Sequence, residues 1–148
     1  MRITTATLPD VPSLSTLLSE LFSQEAEFAP NDDAQRRGLV RIISDPDVGI
    51  ILVAKDGDRA VGMVNILFTI STALGERVAI LEDMIVSARA RGAGIGSRLL
   101  EQAIAAARDA GCKRVTLLTD RTNDSAQRFY ARHGFVPSGM IPLRLALP

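Results

Sequence analysis

Leu81-Glu82-Asp83-Met84-Ile85-Val86-Ser87-Ala88-Arg89-Ala90-Arg91-Gly92-Ala93-Gly94-Ile95-Gly96-Ser97-Arg98-Leu99-Leu100 reads as a strand, a short connection, and three alternating glycines that open an amphipathic helix. The start of such a helix presents unpaired backbone N–H groups and the positive end of its dipole, and glycine lets a ligand approach the backbone closely. Arg89, Arg91 and Arg98 add positive charge with no acid nearby. The stretch is therefore a candidate anion site, and a pyrophosphate fits its pattern. A Walker loop requires Gly-Lys followed by Ser or Thr, whereas Gly96 is followed directly by Ser97. A dinucleotide fingerprint requires G-x-G-x-x-G early in the chain, whereas Gly92, Gly94 and Gly96 give G-x-G-x-G in its second half.

Working outward, the downstream chain predicts a helix over Ile95 to Ala110 ending at Gly111, a strand over Arg114 to Thr119, and a helix over Ser125 to Arg132 ending at His133-Gly134. One or two closing strands are expected between Phe135 and Leu147. Upstream, a strand at Arg2 to Thr5 leads through Leu8-Pro9-Asp10 into a helix carrying Val11, Leu14, Leu17, Leu18 and Leu21 at helical spacing. A second helix runs from Asp32 or Asp33 through Ile43, with Leu39, Val40, Ile42 and Ile43 as its buried side, and stops at Asp45-Pro46. Gly49 to Lys55 and Arg59 to Thr69 form a hairpin about Asp56-Gly57-Asp58, and Arg77 to Val86 is the next strand. The expected fold class is mixed α/β, in one domain over residues 1–148.

Composition narrows the function. The chain has 148 residues, enough to bury a full core without disulfides. Its 17 basic and 17 acidic residues sum to zero, which argues against nucleic acid as the partner, and six aromatics are too few for a base-stacking platform. The lone Cys112 and lone His133 exclude a disulfide framework and Cys/His zinc clusters, so no metal is expected. No membrane span and no signal pattern are read, and the expected location is the cytoplasm. The zero conceals a division. Residues 1–83 carry 13 acids against 7 bases, and residues 84–148 carry 4 acids against 10 bases. The segment from Glu20 to Asp33 has five acids and no base.

Arg91-x-x-Gly94-x-Gly96 after a strand resembles the acyl-coenzyme A pyrophosphate loop of the GNAT (Gcn5-related) N-acetyltransferase superfamily. A second segment resembles a later motif of that superfamily, in which Asn and small residues precede F-Y-x-x-x-G-F: Asn123-Asp124-Ser125-Ala126-Gln127-Arg128-Phe129-Tyr130-Ala131-Arg132-His133-Gly134-Phe135. The resemblance implies a mostly antiparallel sheet splayed between the strand before the glycine loop and the following parallel strand, flanked by about four helices. It implies that acetyl-CoA is the co-substrate. The strand backbone from Met84 through Ile85 to Val86 would bond the pantetheine arm. The N–H groups of Gly92, Ala93, Gly94, Ile95, Gly96 and Ser97 would hold the pyrophosphate, with Arg91 at the rim. Asn123 and Ala126 would contact the far side of the pantetheine, with Phe129 packed beneath.

Transfer to an amine needs a group that takes the ammonium proton and an acid for the leaving thiolate. The resemblance implies Tyr130, the only tyrosine, for the acid. Strand alternation puts Glu82 and Met84 on one face and Asp83 on the other, which selects Glu82 as base. Histone-type members carry their glutamate two residues earlier, where this chain has Ile80. That departure points away from histone acetylation. His133 precedes a helix-ending glycine and is expected to meet the last carbonyls. The acid-rich Glu20, Glu25, Glu27, Asp32 and Asp33 lie in the segment expected to border the acceptor, favouring a small cationic amine. A peptide N-terminus as acceptor and a non-catalytic acyl-CoA-binding module are the competing expectations. The apolar end from Met140 to Leu147 offers a surface for a homodimer.

Overall fold

The computed structural model describes residues 1–25 and 27–148, which fall into two compact units, 1–118 and 119–148. The first unit opens with β1 (Arg2–Thr5), followed by helices α1 (Val11–Gln24) and α2 (Asp32–Ile43). Strands β2 (Gly49–Asp56), β3 (Arg59–Ser71) and β4 (Glu76–Val86) follow, then α3 (Ile95–Asp109) and β5 (Val115–Leu117). The second unit contains α4 (Asp124–Arg132). The sheet order is β1-β2-β3-β4-β5, antiparallel throughout except for the parallel β4–β5 pair. The expected mixed α/β fold is thus present, with its element boundaries within about two residues for most elements.

Periodicity explains the two layers. On one face of the sheet, Val11, Leu14, Leu17 and Leu18 of α1 and Leu39 of α2 form one cluster with Ile51, Val53, Met63 and Ile85. On the other face, α3 buries Leu99, Leu100, Ala103 and Ala107, and a Cβ built on Gly62 would lie 2.9 Å from Leu99 Cδ1. Val40, expected on the buried side of α2, is instead 41% exposed, because the Leu39 stripe and not its neighbour faces α1 and the sheet. Gly49 is fixed by close approach: a Cβ there would lie 2.3 Å from the backbone oxygen of Ile66 on β3, which cannot move without breaking the ladder. Gly49→Ala is expected to cost about 1–3 kcal/mol of stability, read as a lower urea midpoint at unchanged slope.

A polar lock joins the first two helices. Gln35 Nε2 donates to Ser15 O, Ser15 Oγ and Ser19 Oγ at 3.0, 3.1 and 2.9 Å, while its Oε1 accepts from Asn31 N at 2.7 Å. The Ser15 hydroxyl donates to Asp32 Oδ1 at 2.6 Å. That bond, with Arg36 beside it, holds the Asp32 carboxyl below the usual carboxylate range.

The chain from Phe135 onward differs from expectation: no strand forms, and Val136, Met140, Leu143, Leu145 and Leu147 are each more than 80% exposed. The alternation of Leu143, Leu145 and Leu147 has the period of a strand, but a strand exists only where a ladder partner takes up its backbone groups.

Candidate active site

The glycine loop has the geometry of an anion cradle. Gly92 and Gly94 adopt φ of +88° and +77°, and Gly94 is the N-cap of α3 with no side-chain cap. Only glycine holds such angles at little cost, and the turn they make aims the first amides of α3 outward. The first bond within the helix runs from Arg98 N to Gly94 O, and no acid stands in the first turn to satisfy the N–H groups of Ile95, Gly96 and Ser97. Beyond the adjoining residues nothing lies within 4 Å of the Cβ positions of Gly92 or Gly94, so the space over the loop is open. Beside the loop, Arg59, Arg89 and Arg98 line a cavity of about 320 Å³ together with Asp56, Ala93 and Ile95. Arg91 folds back, its Nε donating to Val86 O at 3.1 Å.

The edge of β4 is open where the loop begins. β5 pairs with β4 only from Ala79 to Leu81, so among the described residues no strand meets β4 on that side from Glu82 to Val86. The carbonyl of Ile85 points to β3, 3.2 Å from where a Gly62 Cβ would stand, and Ser87 N donates to Val61 O. Backbone groups alternate along a strand, so those of Met84 and Val86 point away from β3, where the Val86 carbonyl meets Arg91 Nε.

Glu82 occupies a position that alternation did not foresee. Asn65 pairs with Asp83 and Ile66 with Leu81, so Glu82 is the extra residue of a β-bulge, and it is exposed. The bulge interrupts the two-residue repeat between Leu81 and Asp83, while Asp83 keeps regular alternation with Ile85 and so lies, opposite Met84, on the face that carries Met63 and Ile85. Asn65 Nδ2 donates to Asp83 Oδ2 at 3.1 Å. Burial, with a smaller push from the Glu82 carboxylate, raises the Asp83 carboxyl to about 6 against the bond from Asn65. Sequence reasoning passed over this pair, although Asn65 is the single polar side chain in Val61–Phe68.

Two of the acids expected to face an acceptor are engaged elsewhere. Glu20 Oε1 accepts from Ala88 N at 3.2 Å, which ties α1 to the connection after β4, and Asp32 belongs to the lock with Ser15.

In the second unit, Asn123 caps α4, its Oδ1 accepting from Ala126 N at 3.0 Å. The Tyr130 ring meets Phe129 and Phe135 edge-on, with centroids 5.3 and 5.7 Å apart. Burial pushes the Tyr130 hydroxyl above its ordinary value, so it stays protonated at neutral pH. His133 Nδ1 lies 3.0 Å from the carbonyl of Phe129, as a histidine near a helix end is expected to. In the first unit Cys112 is buried, and that burial raises its thiol, the reverse of nucleophile activation.

Residues 11–135 match the acetyltransferase (GNAT) family. The aminoalkylphosphonate N-acetyltransferase of Salmonella typhimurium is 31% identical over 133 residues, 90% of this chain and 83% of that protein. An uncharacterized N-acetyltransferase of Bacillus subtilis, YhfO, is 29% identical over 120 residues, 80% of each chain. Among solved structures, a probable acetyltransferase superposes with a TM-score of 0.85 at 25% identity over 100% of this chain and 99% of its own. An integron cassette protein from the mobile metagenome of Cole Harbour Salt Marsh gives 0.86 at 32% identity, over 99% and 90%.

Proposed function

The chain belongs to the GNAT acetyltransferase family, and from that premise we propose that this acyltransferase moves an acetyl group from acetyl-CoA directly to the primary amine of a small, cationic acceptor. The observation that carries the reading is the glycine loop beside an unpaired strand edge: amides for a pyrophosphate and backbone groups for a pantetheine arm lie in one continuous path. The thioester supplies an activated carbonyl carbon and a thiolate leaving group. The chain supplies the rest. The backbone of Met84 and Val86 bonds the pantetheine as an added strand, and the amides from Gly92 through Ser97 hold the pyrophosphate; in the second unit, Asn123, Ala126 and Phe129 carry the family's later motif. The amine's proton leaves through the acidic pair Glu82–Asp83, with the exposed Glu82 drawing the ammonium in. Tyr130 gives its proton to the thiolate.

The test is thiol release from acetyl-CoA with a panel of polyamines, aminoglycosides, simple amines, amino acids, aminoalkylphosphonates and short peptides. Turnover of cationic amines is the expected outcome. Turnover confined to carboxylate-rich acceptors or to aminoalkylphosphonates, the class named for the Salmonella relative, overturns the cationic assignment. Activity on peptides alone makes the acceptor a protein N-terminus, and tight acetyl-CoA binding without turnover makes the chain a binding module.

A further inference from the structure

The cavity of about 320 Å³ beside the connection from β4 to α3 lies away from the pantetheine path. One of its walls is made by Asp56 at the end of β2 and by Arg59 and Val61 at the start of β3, so it stands on the β3 side of β4. The bare edge of β4 is on the other side, where β5 pairs only as far as Leu81. The opposite wall is Arg89 and Ala93 of the connection and Arg98 of α3. A bond from Ser87 N to Val61 O at 2.8 Å ties the two walls together.

Charge in this cavity is unbalanced. Arg59, Arg89 and Arg98 share it with one carboxylate, Asp56, and among the described residues none of the three arginines is in an ion pair. Arg98 Nη1 contacts the sulfur of Met1 at 4.0 Å, a weak acceptor. Guanidiniums gathered from separate elements repel one another, and an anion set among them turns that repulsion into attraction. Three arginines against one aspartate leave two positive charges, the complement of a phosphate monoester, which carries about −1.5 to −2 at neutral pH. Its oxygens also suit the paired donors of a guanidinium fork. Asp56 can only accept hydrogen bonds when ionised, so it calls for a donor that the phosphate dianion lacks and a hydroxyl supplies. The volume is that of a small-molecule site.

We propose that this cavity is an effector site for a small phosphate monoester bearing hydroxyl groups, separate from the acetyl-CoA path and antagonistic to it. The inference rests on the reading above in one respect, the placing of the acetyl-CoA pyrophosphate on the glycine loop. Ala93 lines the cavity and sits between Gly92 and Gly94, whose positive φ shapes the cradle. Effector and pyrophosphate therefore lie on either side of Ala93. Without the effector, the three arginines attract the pyrophosphate; with it, their field is cancelled and two anions repel within the distance of about 10 Å that 0.1 M salt leaves unscreened. Linkage makes the effect reciprocal, so each ligand weakens the other by the same factor.

Glycerol phosphate, a monoester with two hydroxyls, is the probe, titrated calorimetrically into the whole chain saturated with CoA. Binding of one molecule per chain is expected, and none of glycerol. In the reverse titration, rising glycerol phosphate is expected to raise the Kd for CoA to a plateau about 5–20-fold above its starting value. That factor is expected to shrink as salt is added. Arg59→Ser, a change at an exposed position on β3, is expected to weaken glycerol phosphate by at least about 10-fold and to leave the Kd for CoA alone within a few-fold of wild type. Asp56→Asn is expected to bind inorganic phosphate more tightly and to lose the preference for glycerol phosphate over it. A Kd for CoA that rises without limit makes the arginines part of the co-substrate site and overturns the inference. So does the absence of binding at millimolar glycerol phosphate, or binding that Arg59→Ser leaves unchanged. A chain that binds both ligands as described and acetylates no amine overturns the proposed function alone.

Discussion

Tyr130→Phe is expected to lower kcat for acetyl transfer by about 10²–10³-fold while leaving KM for acetyl-CoA within a few-fold of wild type. The substitution deletes one oxygen and keeps the ring, so the edge-on contacts with Phe129 and Phe135 survive. What disappears is a hydroxyl that burial keeps protonated across neutral pH. A proton donor must hold its proton until the thiolate forms, and burial works in that direction. Steady-state thiol release with saturating amine measures the loss. A Phe variant with unchanged kcat confines Tyr130 to a packing role.

The second large effect has opposite signs on stability and binding. Ser97→Asp introduces a carboxylate in the first turn of α3, where no acid now stands. For the free protein an acid at a helix N-terminus is favourable by about 0.3–1 kcal/mol, so the melting temperature is expected to hold or rise. For the pyrophosphate the same charge occupies the same donors and repels at short range, worth several kcal/mol at about 4 Å in a partly solvated site. Affinity for acetyl-CoA is expected to fall by at least about 10²-fold, measured by calorimetric titration. A variant that is both more stable and unable to bind separates an anion site from an ordinary strand-to-helix turn.

Asp83 links the site to the fold in a related way. Its folded-state value of about 6 lies above the ordinary 3.8, so the folded chain binds this proton more tightly than the unfolded one. Its contribution is most favourable below the ordinary value and declines as pH rises to about 6. At neutral pH the carboxylate is a burden of at most about 3 kcal/mol, and Asp83→Asn is expected to melt higher than wild type at pH 7 and to lose that advantage towards pH 4. Thermal unfolding across this range checks the sign.

The glycine loop, the hairpin about Gly57 and the boundaries of α1, α2 and α3 were legible in the sequence, since each is written in local signals: apolar spacing, a proline or cap, a residue that tolerates positive φ. The bulge at Glu82 was not. Whether two residues oppose one is decided by the partner strand, and nothing within Leu81–Val86 announces that Asn65 will pair with Asp83. The inserted residue takes Glu82 out of the ladder, while Asp83 keeps the face that alternation with Ile85 gives it. The duties of Glu20 and Asp32 were hidden for the same reason, because Ala88 is 68 residues from Glu20 and Ser15 is 17 from Asp32. Composition made both acids look like a charged border, and long-range geometry employed them as ties. The alternating leucines after Met140 carried a strand signal without a ladder to complete it.

The three-residue pairing of β4 with β5 has a thermodynamic consequence. A sheet whose last ladder stops early is a structure with part of its hydrogen bonding left to a solute. If a pantetheine arm supplies the missing rungs, co-substrate and polypeptide share a single cooperative unit, and the melting temperature becomes a function of ligand concentration, rising as RT ln(1 + [L]/Kd). The amides of Met84 and Val86 then report occupancy through their exchange with deuterium, fast when the edge is bare and slow when it is filled.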